Sequence, residues 1–236
     1  MQKNYLDCLA VFGVGGAHPG GLQLTKTMLA DEEFDGNIVV LDAGCGTGQT
    51  AEYLAKNNDC KILAVDNNPL MIEKAVKRLA RLNKNIWTEI ADIESLAYEN
   101  DLIDVVLSES VIAFTTPAIS IPELSRVLKK GGRLFAIEMV LEQPVSDEEK
   151  EIIMEFYGME QLWTESEWEN AFLQAGLRVQ SIERPRLENT VNHESASDFL
   201  LSDSIDEAYY DMLDKHLIVT ENYKSQLGFR IFKCTK

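Results

Sequence analysis

A chain of 236 residues, 45% hydrophobic and 26% charged, suits one soluble globular domain with ample length for a core. Its formal net charge of −17 would repel a polyanion, which disfavours nucleic acid as a partner, and no apolar run reaches the roughly 18 residues of a membrane-crossing helix. Four cysteines without CxxC spacing and three dispersed histidines carry no metal signature and read as reduced thiols in a cytoplasmic protein.

The first segment, MQKNYLDCLAVFGVGG, is interrupted by Asp7 and lacks a small-residue cleavage site, so no secretory signal is expected. The stretch GVGGAHPGG, residues 13–21, holds five of the 14 glycines. Such density marks backbone that takes positive φ or comes very close to something. LQLTKTML then reads as a helix, so the glycines open a helix N-terminus, where free N–H groups and the dipole favour an anion. NIVVLDAGCGTGQTAEYLAKN begins with an apolar run at Ile38–Leu41, passes through a glycine-rich turn, and becomes helical through Ala51, Tyr53, Leu54 and Ala55. KILAVD is a second buried strand ending in Asp66, and Pro69 suits the first position of the next helix. NIWTEIAD is a third strand, and LIDVVLSES is a fourth, apolar enough to be buried on both faces. ISIPELSRVLKKGG predicts a helix starting near Pro122 and stopped by glycine, and GRLFAIEMVL a fifth strand. This alternation implies a parallel sheet with helices on both faces and right-handed crossovers.

After Leu141 the rhythm changes. Ser146 is placed to cap one helix, and Thr164 with Glu167 three residues on to cap another. LRVQSIE is a strand, residues 193–217 carry helical periodicity through Phe199, Leu200, Ile205, Tyr209, Met212, Leu213 and Leu217, and LGFRIFKC closes as a strand.

LDAGCGTG places glycines at 44, 46 and 48. A dinucleotide fingerprint would need glycine at 49, where this chain has Gln49, so the pattern is GxGxG. A turn of this kind lets backbone pass beneath a ligand at the carboxyl end of the first strand. Asp66, about 20 residues on, sits where a carboxylate can accept both hydroxyls of a ribose.

With these residues in order, the chain resembles the class I S-adenosylmethionine-dependent methyltransferases. VVLDAGCGTGQT is similar to their first motif, AVDNNPLMIEKA to the second, IADIESL to the third, DVVLSESVIAF to the fourth, and LSRVLKKGGRLFAIE to the segment entering the fifth strand. The resemblance covers roughly residues 37–140. It implies an α/β fold, a doubly wound, seven-stranded, mostly parallel Rossmann-like sheet, with an antiparallel last strand formed by about 177–183 and 228–234. The cofactor it implies is S-adenosyl-L-methionine, with no metal. Gly44, Gly46 and Gly48 would lie along the methionine and ribose, Asp42 near the amino group, Asp66 on the ribose hydroxyls, and Asn67 beside the adenine. Asp92 would accept from the adenine amino group, or simply cap a helix beginning near Glu94, and the Ile93 backbone would donate to the ring. Leu107, Ser108 and Glu109 would lie under the methionine.

The anion at the glycine-rich helix start would then be the cofactor carboxylate, with Gly20 and Gly21 lining the pocket; a folded-over turn is the competing reading. Methyl transfer needs a general base only when the acceptor has a proton to lose, and Glu109 and His18 are the candidates. Ser108-Glu109-Ser110-Val111 departs from the Asn/Asp-Pro-Pro-aromatic tetrad of amino-methylating nucleic acid enzymes, and a small-molecule acceptor is expected. A cofactor-binding protein without turnover and a protein methyltransferase stay open as other readings.

One domain over 1–236 is expected. It would comprise an N-terminal helix and glycine-rich loop at 1–36, a cofactor-binding core at 37–141, and helical cap elements at 142–163 and 189–224 over the carboxyl ends of the strands. The second cap element has an alternative place on the outer sheet face or at a dimer interface. A monomer or homodimer is expected.

Overall fold

The computed structural model describes residues 3–82, 84–185 and 198–236. Seven strands, β1 Val39–Ala43, β2 Lys61–Asp66, β3 Ile86–Ile90, β4 Ile103–Glu109, β5 Leu128–Leu141, β6 Arg178–Glu183 and β7 Leu227–Thr235, form one sheet in the order β3-β2-β1-β4-β5-β7-β6. All neighbours pair parallel except β7, which runs antiparallel to both β5 and β6. This is the expected seven-stranded α/β arrangement, with chain order reversing at β1/β4, where ligands of open sheets bind.

Side chains alternate between two cores. Leu41, Ala43 and Val106 face a layer containing α5 (Pro117–Val127), α6 (Asp147–Tyr157) and α7 (Glu165–Gln174). Val40, Val105 and Leu107 face α2 (Gly21–Met28), α3 (Gln49–Asn57) and α4 (Pro69–Leu79). Burial on both faces is why β1 and β4 read as continuous apolar runs. At the sheet edge β3 is different: Trp87 and Ile90 are exposed.

Local chemistry sets most boundaries. Asn68 accepts from the Leu70 and Met71 N–H groups and caps α4, with Pro69 in its first turn. Ser146 with Glu149, and Thr164 with Glu167, form capping boxes at the starts of α6 and α7. Two boundaries differ from expectation. Helix α5 starts at Pro117, not Pro122, because Thr116-Pro117 already supplies the entry and Pro122 is accommodated inside the helix. Lys129 to Gly132 do not end that helix. They lie within β5, where the register with β4 shifts between Ile103 and Val105 and Gly131 takes φ 77°.

The last helix, α8 (Glu207–Asn222), is capped by Asp206 and starts later than the periodicity over 193–217 suggests. Phe199, Leu200 and Ile205 precede it in irregular chain, and the part of the expected cap at 189–197 lies outside the described residues. Residues 198–202 instead pair with the N-terminus: Leu200 N–H donates to Gly13 O at 2.9 Å, Ser202 N–H to Val11 O at 3.0 Å and Gly15 N–H to Asp198 O at 2.7 Å. Strand directions put segment 142–163, and the chain that enters β7 after α8, on the carboxyl-end side. Segment 142–163 leaves β5 at Leu141 and returns beside it, with Leu141 N–H on Trp163 O, while β7 begins with Leu227 opposite the same Leu141.

Helix α1 (Tyr5–Phe12) joins α6 and α8 there. Tyr5 packs edge-on to Tyr157 and beside Phe156 and His216, and the Tyr157 hydroxyl lies 3.1 Å from His216 Nδ1. The apolar stripes are thus only partly covered: Ile153 and Tyr157 are buried, while Ile152, Phe199 and Leu217 remain exposed.

Lys74 of α4 fastens α1 to the body. Its buried Nζ donates to the Ala10 and Val11 carbonyls at 2.7 and 2.9 Å at the helix C-terminus, where Ala10 O also accepts the Gly13 N–H at 3.1 Å. Lys74→Met is expected to cost about 1.5–3 kcal/mol in urea unfolding, the range for hydrogen bonds to a charged group. Hydrogen exchange should rise first in α1.

Candidate active site

Three turns meet at the carboxyl ends of β1, β2 and β4. In the turn after β1, Gly44, Gly46 and Gly48 all take positive φ, at 82°, 52° and 76°. Each is a glycine for a separate reason. A Cβ at Gly44 would fall 2.3 Å from Cγ2 of Val111, and one at Gly48 would press on Ala75 and Leu79 of α4 at 3.2 Å. A Cβ at Gly46 meets nothing nearer than the Met71 sulfur at 4.0 Å. Two of these glycines make room for protein, and the middle one faces open space.

Carboxylates surround this turn. Asp66 accepts the Gly46 N–H at 2.9 Å on one oxygen and the Asn68 N–H at 2.8 Å on the other, which shapes the turn and leaves lone pairs over. Burial raises its pKa against the pull of those two N–H groups. Asp42 is buried and pushed well above the usual carboxylate range, first by desolvation, then by its neighbours Glu109 and Asp66. Its Oδ2 and the buried Ser108 hydroxyl have no hydrogen-bond partner among the described residues. A buried carboxylate oxygen without a donor, beside two further acids, suits a cationic ligand group.

At the end of β4, Glu109 is held on both oxygens. Oε1 accepts from the Thr25 hydroxyl of α2 and Oε2 from the Thr50 hydroxyl of α3, each at 2.6 Å. The His18 Nε2 lies 3.3 Å from Thr25 Oγ1 and 3.7 Å from Glu109 Oε1. The fold therefore joins the two sequence-level acid–base candidates, with both side chains almost wholly buried.

The remaining expected positions are less engaged. Asn67 is exposed, and the neighbouring Asn68 does the capping. Ile93 is buried, while exposed Asp92 accepts the Glu94 N–H at 2.9 Å within a turn, so no helix begins at Glu94. Gly20 caps α2 with φ 79°, but the Gly21 N–H donates to His18 O at 3.0 Å and so is unavailable to an anion. The glycine-rich stretch chiefly approaches its own chain. A Cβ at Gly13 would meet Leu200 O at 2.2 Å, and those at Gly15 and Gly16 would meet the Gln49 side chain.

Three contributors are absent from the sequence reading. Thr25 and Thr50 lie on the buried faces of their helices beside Met28 and Leu54, where a polar residue is the available clue. Glu138 of β5 is fully buried and accepts from the Val111, Ile112 and Ala113 N–H groups, fixing the turn after β4. Ser110, in that turn, holds φ 59°, an uncommon conformation for a non-glycine residue.

Comparison with known proteins agrees with this architecture. A family described as "Methyltransferase domain" matches residues 34–183. An uncharacterized methyltransferase, YodH, of Bacillus subtilis (strain 168) is 39% identical over 231 residues, covering 98% of each chain. A malonyl-[acyl-carrier protein] O-methyltransferase of Herminiimonas arsenicoxydans is 38% identical over 97 residues, 41% of this chain and 35% of that one. Among solved structures, a Haemonchus contortus phosphoethanolamine N-methyltransferase 2 in complex with S-adenosyl-L-methionine shares the fold at TM-score 0.74 and 18% identity, covering 98% of this chain and 57% of that one. A GxGxG turn after the first strand, an acid closing the second, and a family match over most of the chain have one common meaning: the protein belongs to the class I S-adenosylmethionine-dependent methyltransferases.

Proposed function

We propose that the chain transfers the methyl group directly, in line, to a small-molecule acceptor held between the carboxyl ends of the strands and the layer formed by α1, α6 and α8. The observation that carries this is the open face at Gly46 with Asp42, Asp66 and Glu109 converging beside it. When bound, S-adenosylmethionine supplies a positively charged sulfonium whose methyl carbon is open to attack by an acceptor lone pair, the carbon–sulfur electron pair returning to sulfur.

The chain's own residues bind and orient. Asp66 receives the ribose hydroxyls, Gly46 lets backbone approach, and Asp42 with Ser108 faces the cationic end. Gly44 and Gly48 keep the turn in shape. Asn67, Asp92 and the Ile93 backbone border the adenine side, and Gly20 and Gly21 close the pocket from the N-terminal segment. Placement and exclusion of water by the helical layer then supply most of the rate. Small-molecule acceptors are named for relatives such as the phosphoethanolamine N-methyltransferases, which favours that class here.

Calorimetry with S-adenosylhomocysteine, followed by transfer of labelled methyl into extracted metabolites against extracted protein, tests this reading. Label entering protein alone would overturn the small-molecule assignment. Asp66→Ala is expected to weaken S-adenosylhomocysteine binding by about 1–3 kcal/mol, through lost charge-assisted hydrogen bonds. Unchanged affinity with intact circular dichroism would remove Asp66 from the ribose site.

A further inference from the structure

The hydrogen-bond geometry points to a single shared proton in the Glu109–Thr25–His18 network, and we infer that this network is the proton acceptor for a methyl acceptor bearing an N–H or O–H group. The inference deepens the proposed function and rests on it.

The count of donors and acceptors is what matters. His18 Nδ1 lies 3.2 Å from Pro19 O, and a carbonyl only accepts, so Nδ1 carries a hydrogen. Thr25 has one hydroxyl hydrogen, and two acceptors want it: Glu109 Oε1 at 2.6 Å and His18 Nε2 at 3.3 Å. With Glu109 ionised and His18 neutral, one of the two goes without. One added proton removes the conflict in either of two ways. It sits on Nε2, which then donates to Thr25 Oγ1 while Thr25 donates to Glu109. Otherwise it sits on Glu109 Oε1, which donates to Thr25 while Thr25 donates to Nε2. Both forms use the same heavy-atom positions, and they interconvert when Thr25 Oγ1 takes the hydrogen from His18 Nε2 as its own hydrogen passes to Glu109 Oε1.

The network is thus built to take up one proton and to be satisfied by it. That is the balance required when an acceptor N–H or O–H atom gains a methyl group and gives up its hydrogen. An acceptor without such a hydrogen, a thioether for example, would have no use for it. Thr50, donating to Oε2 at 2.6 Å, fixes the carboxylate plane from the other side. Thr25 and Thr50 are accordingly positioning residues. Among the described residues, Asp42 on β1 lies beside Glu109, with Asp66 on β2 beside Asp42.

The test is NMR of full-length protein labelled at histidine nitrogens and glutamate carboxyl carbons, with and without S-adenosylhomocysteine. His18→Asn and Glu109→Gln assign the two resonances. His18 Nδ1 should stay protonated across the titration, and Nε2 and the Glu109 carboxyl should share one proton uptake in wild type. In Thr25→Val the two groups should titrate separately, and Thr25→Ser should restore the joint step. Independent titration in wild type, or an identical joint step in Thr25→Val, would overturn the relay. If Thr25→Val fails to fold by circular dichroism, Thr25→Ser and Thr25→Ala carry the same comparison. Loss of S-adenosylhomocysteine binding in wild type would instead count against the cofactor reading, with the titration unaffected.

Discussion

Gly46→Val is expected to reduce S-adenosylhomocysteine affinity at least about a hundredfold, or about 2.7 kcal/mol, while leaving the fold intact. The substituted Cβ would project into the open face of the turn, 4.0 Å from the Met71 sulfur and otherwise clear of protein. No core side chain must move, so circular dichroism and the unfolding midpoint should change only by the strain of a β-branched residue at φ 52°. The ligand would lose the space. Gly46→Ala should fall between, sharing the strain but filling less volume. By contrast, valine at Gly44 would strike Val111 directly and damage the turn whether or not ligand is present. Calorimetry on the two valine variants separates a ligand-facing glycine from a structural one, and equal affinity for wild type and Gly46→Val would place the cofactor elsewhere.

Glu138→Ala is expected to destabilise the protein by about 3 kcal/mol, because the buried N–H groups of Ile112 and Ala113 and the half-buried one of Val111 lose their acceptor at once. The same residue should give a pH signature. Burial raises its pKa from 4.5 to about 8, outweighing the three N–H groups that favour the anion. Between those values the folded protein holds a proton that the unfolded chain has released, so unfolding free energy falls as pH rises. The contribution is fully present below about 4.5 and lost through about 8. Urea titrations of wild type and Glu138→Gln from pH 5 to 8.5 should therefore differ in slope, wild type losing more stability. Parallel curves would show that Glu138 does not titrate in this range.

Local features were the ones legible in the sequence. The capping boxes at Ser146 and Thr164 involve residues three apart, and the Gly44–Gly48 turn sits between an apolar strand and an amphipathic helix. Asp66 was readable because a parallel crossover has a narrow range of lengths. What escaped was non-local. Thr25 and Thr50 reach Glu109 across 84 and 59 residues, and nothing near either threonine in sequence reports the carboxylate. Glu138 reads as one acid in an apolar strand until the turn after β4 is seen folded over it. The glycine-rich stretch invited a ligand explanation, yet Gly13 is needed because Leu200 lies against it. Lys129–Gly132 looked like a helix stop because basic residues followed by glycine usually are one, and a strand irregularity uses the same composition.

The pairing of residues 11–15 with 198–202 has a consequence for how the chain is made. During synthesis β1 to β5 can assemble in order, since each neighbour in that part of the sheet emerges early. Helix α1 emerges before the strands, but its partners on α8 and at 198–202 emerge after β5. Strand β6 also waits, because β7 is its sole neighbour among the described strands. Closing such long loops comes late and slowly. The growing chain should thus carry a formed nucleotide-type half with α1 unattached until residues 198–222 have emerged, and that helix, with Tyr5 and Phe12 uncovered, is where a chaperone would be expected to hold it.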